Sequence, residues 1–418
     1  MNQVTIIGGG WAGLSAAVHA VNAGWQVRLL EAAPQTGGRA RRITHHGLAL
    51  DNGQHILIGA YRDTLALMRL VGVDTDTYLK RLPLTLCTPN GDGLRLPDLP
   101  SPLNLLAGMV GARGWSWSDK WGLIRRAWRW QRQHFECPAG MTVAELCSGL
   151  PRVVITMLIE PLCVSALNLP SEQASARVFL RVLQDALLGG TGSSDMLIPR
   201  VDQSRLLPDA AVQWLKHHGA ELVTGHHVED LSPYLSAPVV LACPPWEASR
   251  LTQSINPAWS AQAGALAHTA IATVYVQAHA KVDWPYPVMA MRSSALAPAQ
   301  FAFDKARLSG DKAMQGVIAM VVSASKGDRD QISQAVLAQA REQLGLPRAT
   351  VLFTVLEKRA AFACTPEVLR PSAQPGVQVL ACGDYVHGPY PSTLEAAVRS
   401  GIEVVALLKS LHMRENAV

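Results

Sequence analysis

Short apolar runs and helical stripes alternate from the first residues of this 418-residue chain. Val4 to Ile7 is an apolar run broken only by Thr5, as in a strand buried on both faces, and it ends in Gly8-Gly9-Gly10. Leu14 to Ala23 is Ala-rich and free of Pro, so it reads as a helix, and Gly24 ends it. Val27 to Leu30 is a second apolar strand that stops on Glu31. Leu48 to Leu50 reads as a strand running into the turn Asp51-Asn52-Gly53-Gln54-His55. From about Tyr61 to Gly190 the periodicity is mostly helical, with proline-rich connections. Pro208 to Gly219 predicts an amphipathic helix, with strand-like runs after it at Ala220 to Thr224 and Pro238 to Cys243. Alternation at Ala270 to His279 and at Gly316 to Ser323 predicts an antiparallel sheet. Gln331 to Leu344 is a helix, Val377 to Ala381 a buried strand, and Ser392 to Leu411 a long helix with one apolar face.

The first forty residues carry chemistry as well as structure. Gly8, Gly10 and Gly13 stand at G-x-G-x-x-G spacing between a strand and a helix, and an acid closes the next strand. That is a βαβ unit with a dinucleotide on its helix N-terminus. Gly8 permits the tight turn, Gly10 lets the backbone approach a pyrophosphate, and Gly13 lets helix and strand pack closely. Glu31 is placed to accept hydrogen bonds from ribose hydroxyls. The motif alone does not separate NAD from FAD. Gly37-Gly38-Arg39, just after the acid, resembles the extended FAD fingerprint of glutathione-reductase-like and amine-oxidase-like flavoproteins, in which the arginine adds charge at the pyrophosphate.

Composition narrows the class. Hydrophobic residues make up 49% and charged residues 17%, yet no run of 18 apolar residues occurs, so no transmembrane helix is expected. The opening Met1-Asn2-Gln3 leads straight into a strand, without the basic and apolar regions of a signal peptide. Seven scattered cysteines with no C-x-x-C suggest neither a metal site nor a disulfide framework, and they fit reduced cytoplasmic thiols. A net charge of +5 permits contact with an anionic membrane but gives no case for nucleic acid.

The C-terminal end supplies the second strong motif. Leu380-Ala381-Cys382-Gly383-Asp384-Tyr385 is a strand stopping at a glycine and an acid, and Ser392-Thr393-Leu394-Glu395 caps the helix that follows. With the N-terminal fingerprint, this resembles the closing FAD motif of the flavin amine oxidase and phytoene desaturase superfamily. Within it, the stretches Leu50 to Tyr61, Glu357 to Pro366 and Gly383 to Tyr385 look most like the squalene-associated branch, the hydroxysqualene dehydroxylases.

The resemblance implies an α/β fold, with a Rossmann-like, glutathione-reductase-like FAD-binding domain interleaved with an α+β, amine-oxidase-like substrate domain. The expected FAD-binding segments are 1–60, 193–248 and 370–418, and the substrate segments are 61–192 and 249–369. It also implies that FAD is held by Gly8, Gly10, Trp11, Ala12, Gly13, Glu31, Ala32, Gly38, Arg39, Ala40, Gln54, His55, Val228, Gly383, Asp384, Thr393, Leu394 and Glu395. Asp384 would meet the ribityl-pyrophosphate region, and the helix start at Thr393 to Glu395 the pyrimidine edge. The main chain of Val228 would meet the adenine.

The family reaction is reductive removal of an allylic hydroxyl, with hydride from reduced flavin N5 and a proton from the protein. His55 is the first candidate for the proton donor, and a histidine that only hydrogen-bonds the flavin or a backbone carbonyl is the alternative. Asp51 is a weaker candidate. Tyr385 and Tyr390 flank the motif, and Cys364 and Cys382 read as buried thiols. A desaturase would run the hydride the other way. An amine oxidase would want a lysine near N5, for which Lys358 is available. A prenyl-binding protein of the same fold would lack the intact flavin motifs. The external electron donor is not specified.

Residues 113–135 hold Trp115, Trp117, Trp121, Trp128 and Trp130 interleaved with Lys120, Arg125, Arg126, Arg129 and Arg132. They read either as a docking surface for the inner face of the cell membrane or as a helix with tryptophans in the core and arginines in water.

Overall fold

A computed structural model describes residues 2–279 and 282–415. Its first sheet has five parallel strands, in the order Glu221–Thr224, Gln26–Glu31, Gln3–Ile7, Val239–Leu241, Val379–Ala381. The strands come from the beginning, middle and end of the chain. Val4 to Ile7, Val239–Leu241 and Val379–Ala381 are buried on both faces and read as apolar runs, while Gln26–Glu31 leaves Gln26 and Arg28 exposed. The helices Trp11–Asn22 and Leu394–Glu415 pack against each other on this sheet. Ser15 Oγ donates to the Val398 carbonyl at 2.8 Å. A Cβ on Gly401 would lie 2.6 Å from the Ala12 carbonyl oxygen, so only glycine lets the two helices approach this closely.

The second sheet is antiparallel, in the order Val288–Ala290, Phe301–Asp304, Val317–Ser325, His268–Gln277, Thr350–Phe362. The predicted pair of alternating segments is present, with Tyr275 opposite Ala319. One face packs on the helix Arg329–Gln343 through Val274, Met320, Ile332 and Val336. The other face, with Tyr275 and Val321, belongs to the core that reaches the parallel sheet.

Three features depart from the expected pattern. The segment expected to be mostly helical also holds the strand Leu79–Leu82 and the hairpin Thr85–Cys87 with Gly93–Arg95. Leu79–Leu82 pairs with Met196–Pro199, which also pairs with Leu57–Ile58. Strands of two to four residues are too short for a period of two to stand out. The 13-residue strand Thr350–Phe362 was hidden by Glu357-Lys358-Arg359, whose charges interrupt any apolar run. No helix among the described residues is long and apolar enough to cross a membrane.

Candidate cofactor and active site

The glycine turn sits where the first strand meets its helix. A Cβ on Gly13 would lie 1.8 Å from the Gly8 carbonyl oxygen, so the helix can pack onto the turn only with glycine there. Gly37 donates to the Gly9 carbonyl at 2.8 Å, and Gly10 pairs with Gly37 as an isolated bridge. The second glycine pair thus lies directly against the first. Glu31 is fixed at its strand end by two main-chain donors, Gly9 N at 2.6 Å and Ala33 N at 2.7 Å. Ala32 is exposed beside it. The Trp11 indole donates to the Ala40 carbonyl at 3.1 Å and ties the helix start to the loop after Arg39.

The loop bearing Val228 hangs from the same acid. Its Gly225 and His226 N–H groups donate to the carbonyls of Ala33 and Glu31, at 3.0 and 2.9 Å. Val228 is buried, and its carbonyl accepts from Arg250 at 2.7 Å.

The two ends of the chain meet at Arg39. Its Nη2 lies 2.5 Å from Asp384 Oδ1, and its Nη1 donates to the Ala360 carbonyl at 2.6 Å. Asp384 is buried and also accepts from the Ser392 hydroxyl. Burial alone would raise its carboxyl, but the Arg39 guanidinium and the Ser392 hydroxyl outweigh it and hold the group below its ordinary value.

Arg370 shapes the loop that follows, and nothing in the sequence pattern singled it out. Its guanidinium donates to the carbonyls of Asp384 (2.7 Å), Tyr385 (3.3 Å), Val386 (2.5 Å), Gly388 (2.7 Å) and Tyr390 (2.7 Å). It lies 4.7 Å from the Phe362 ring centre. One side chain therefore folds the whole turn Asp384 to Tyr390 around itself.

At the start of the last helix, Thr393 Oγ1 accepts from Ala396 N at 3.1 Å as a cap. The first N–H groups of this helix, from Leu394 onward, have no acceptor within it. The Glu395 side chain points elsewhere. Its carboxylate accepts from Asp63 N (3.1 Å), Thr64 N (2.9 Å) and Thr64 Oγ1 (2.7 Å), and so caps the helix Arg62–Leu70. A cofactor contact at position 395 falls to its main chain.

The turn Asp51 to His55 is pinned to the antiparallel sheet. The Tyr275 hydroxyl donates to Asp51 O at 2.9 Å and accepts from Asp51 N at 3.1 Å. Gln54 N donates to Thr273 Oγ1 at 3.3 Å. Buried Lys305 donates to Gln54 Oε1 at 3.0 Å and lies 3.4 Å from Asp51 Oδ2. Gln203 N donates to the other Asp51 oxygen at 2.8 Å. Burial raises the Asp51 carboxyl despite the lysine. Lys358 is exposed, so the buried lysine beside this turn is Lys305. The residues Phe301-Ala302-Phe303-Asp304 before it gave no motif to find it by.

His55 Nδ1 lies 3.0 Å from the Gly53 carbonyl oxygen. A carbonyl only accepts, so Nδ1 carries the proton and Nε2 is the acceptor of the neutral ring. Burial lowers the imidazole below its ordinary 6.5. Tyr390 is tied to the helix Ala176–Leu188 through Asp185, at 2.6 Å. Burial pushes the Cys364 thiol up to about 11 and raises Cys382 further, which keeps both protonated.

These residues fit a flavin dinucleotide. The backbone at Gly10 and Gly38 comes close enough that a Cβ on Gly38 would lie 3.2 Å from Gly10 Cα, leaving a cradle walled by main chain. Four buried side chains have polar atoms without a partner among the described residues, Trp115, Gln203, Ser325 and Tyr385, and two of these residues adjoin the site, Gln203 through its N–H on Asp51 and Tyr385 next to Asp384. A buried polar atom without a partner is costly, and a polar ligand would supply one.

A dinucleotide site assembled from both termini and closed by an antiparallel sheet is the arrangement of an FAD-dependent oxidoreductase. The chain belongs to the family described as flavin-containing amine oxidoreductases, which it matches over residues 11–408. It is 26% identical to a protein named hydroxysqualene dehydroxylase from Sinorhizobium fredii, over 96% of both chains. It is also 26% identical to one of the same name from Rhodopseudomonas palustris, over 95% of this chain and 96% of the relative. A probable zeta-carotene desaturase from Synechococcus elongatus is 32% identical over only 28% of this chain and 25% of that one. Among solved structures, an oxidoreductase from Methanosarcina mazei superposes with a TM-score of 0.72, at 16% identity over 97% of this chain and all of that one. A putrescine oxidase superposes with a TM-score of 0.67, at 15% identity over 98% and 99% of the two chains.

The tryptophan-rich segment divides in two. Trp115 and Trp130 are buried in the core, while Trp117, Trp121 and Trp128 stand exposed on the helix Trp117–Arg132. The expectation of tryptophans in the core holds for Trp115 and Trp130 and not for the other three.

Proposed function

We propose that this chain reductively removes the hydroxyl of hydroxysqualene to give squalene, as a step of bacterial squalene or hopanoid synthesis. The end-to-end similarity to proteins named hydroxysqualene dehydroxylase carries the reading, because it spans the substrate-facing segments as well as the cofactor motifs. Reduced FAD supplies the hydride, so that alcohol, hydride and proton become hydrocarbon and water.

The residues divide the remaining work. Gly8 to Gly13 and Gly38 leave room for the pyrophosphate, and Glu31 faces the ribose hydroxyls. Arg39 and Asp384 hold the centre of the cofactor, and the N–H groups from Thr393 to Glu395 face its polar ring edge. His55 is the proton carrier in this reading. Its Nδ1–H is fixed on Gly53, so exchange with the substrate hydroxyl runs through Nε2. Lys305 and Tyr275, both buried, position that turn.

Segments 1–60, 193–248 and 370–418 bind FAD in this division, and 61–192 and 249–369 receive the isoprenoid. Residues 113–135 face the inner leaflet of the cell membrane. The experiment is direct: purified holoenzyme, hydroxysqualene and a chemical reductant are incubated without air, and the lipids are extracted. Squalene is the expected product. Recovery of unchanged alcohol, or of a polyene with extra double bonds, would overturn the reading.

A further inference from the structure

We infer that the helices Leu103–Gly111 and Trp117–Arg132 form one platform that docks on an anionic phospholipid bilayer, with an arginine cleft at its edge that takes the lipid phosphates. This extends the membrane contact read at residues 113–135, by adding a second helix and assigning the ligand of the arginines.

The apolar part is concentrated. Seven of the thirteen exposed large hydrophobic side chains among the described residues lie between Leu99 and Trp128. Leu103, Leu106 and Val110 fall on one face of the first helix, and Trp117 (72% exposed), Trp121 (64%) and Trp128 (58%) on one face of the second. Lys120 joins the two helices by donating to the Val110 carbonyl at 2.6 Å. The other large exposed apolar residues are scattered, as on any soluble surface.

The charge is concentrated on the same element. Residues 113–132 carry six basic side chains and one acid, an excess of five that equals the formal net charge of the whole chain. That one acid, Asp119, is engaged in the capping box with Ser116. At about 100° per residue, Trp117, Trp128 and Trp121 occupy an arc of about 40°, and Arg132, Arg125 and Arg129 the next 80° or so. On the side of the tryptophan arc away from the arginines stands Lys120, which bonds to the leucine-bearing helix at Val110. The arginine edge borders a cleft of about 560 Å³ lined by Arg125, Arg126, Trp128, Arg129 and Arg132.

Arg126 spends its donors on the carbonyls of Leu146 and Ser148 and anchors the helix. Arg125, Arg129 and Arg132 are exposed at the rim, with Arg132 resting over the Trp128 ring at 4.6 Å. Indoles at headgroup depth beside guanidinium groups that pair with phosphate match a bilayer surface on both counts.

Vesicle sedimentation of the full-length holoenzyme tests this. Wild type is expected to sediment with vesicles of phosphatidylcholine and phosphatidylglycerol, and much less with phosphatidylcholine alone. Replacing Arg125, Arg129 and Arg132 together by Gln is expected to weaken anionic binding by about one hundredfold, about fivefold for each arginine, and to abolish its salt dependence. Replacing Trp117, Trp121 and Trp128 together by Ser is expected to weaken binding while keeping the salt dependence. Unchanged flavin content shows that each variant is folded. Failure of wild type to sediment, or sedimentation of either variant equal to wild type, overturns the proposal. Turnover of hydroxysqualene in detergent micelles is measured alongside. If no protein makes squalene, the substrate reading fails and the vesicle result stands by itself.

Discussion

Arg39 and Asp384, 345 positions apart, sit with Nη2 and Oδ1 2.5 Å from each other. This contact joins the Gly37-Gly38-Arg39 and Gly383-Asp384 segments near opposite ends of the chain. Asp384 is 8% exposed and Arg39 39%, so the pair lies at the wall of the site and not in bulk solvent. Replacing Arg39 by Met leaves a buried carboxylate without its cation. We expect FAD affinity to fall roughly ten- to one-hundredfold, the worth of a charge-assisted hydrogen bond. Flavin absorbance per protein after gel filtration measures it, and full retention of flavin would show that the pair does not support the cofactor.

Arg370 is expected to matter to the fold as much as to the flavin. Arg370→Gln deprives several carbonyls of their donor and should cost about 3 kcal/mol in denaturant unfolding. Arg370→Lys keeps the charge but not the planar fork, so it should rescue little. If lysine restores stability fully, charge and not geometry holds the turn Asp384 to Tyr390.

Glu395 gives the opposite pattern. Its side chain caps the helix Arg62–Leu70, so Glu395→Ala should lower stability by about 1 to 2 kcal/mol and leave the flavin spectrum unchanged. A shifted flavin spectrum in this variant would place the carboxylate at the cofactor after all.

His55 sets two pH dependences. Burial holds its folded value, and that of His268, below the ordinary 6.5. Near pH 6 the unfolded chain therefore binds more protons than the folded one, so these groups make stability rise with pH. That contribution is complete above the unfolded value and erodes as pH falls through about 6.5. If His55 delivers the proton, kcat/KM falls as pH rises, with its midpoint below 6.5, and His55→Gln loses that limb along with about one-hundredfold or more in rate. A variant with normal flavin and an unchanged profile would leave His55 as a carbonyl-bonded side chain only.

The glycine turn, the strand-end acid and the capped last helix were legible in the sequence. Gly8 to Gly13, Glu31 and the helix after Thr393 are local signals, because each depends on turn or cap chemistry within a few residues. Three of the parallel strands were legible for the same reason, since Val4 to Ile7, Val239–Leu241 and Val379–Ala381 are short apolar runs buried on both faces. What stayed hidden depends on contacts between distant segments. Arg370 reads as an ordinary arginine until the turn wraps around it. Lys305 follows a strand and looks like a surface lysine until Asp51 and Gln54 meet it. Glu395 stands in a cofactor motif, yet its carboxylate reaches a helix 331 residues away in sequence. The strand Thr350–Phe362 carries charges in its middle because its edge lies open there, with Lys358 and Arg359 exposed.

A single turnover measures the direction of hydride transfer. Holoenzyme is reduced without air, separated from excess reductant, and mixed with hydroxysqualene. Oxidised-flavin absorbance is expected to return, with one squalene formed per flavin. Stable reduced flavin after mixing, or bleaching of the oxidised enzyme by the same substrate, would contradict hydride transfer from flavin to substrate.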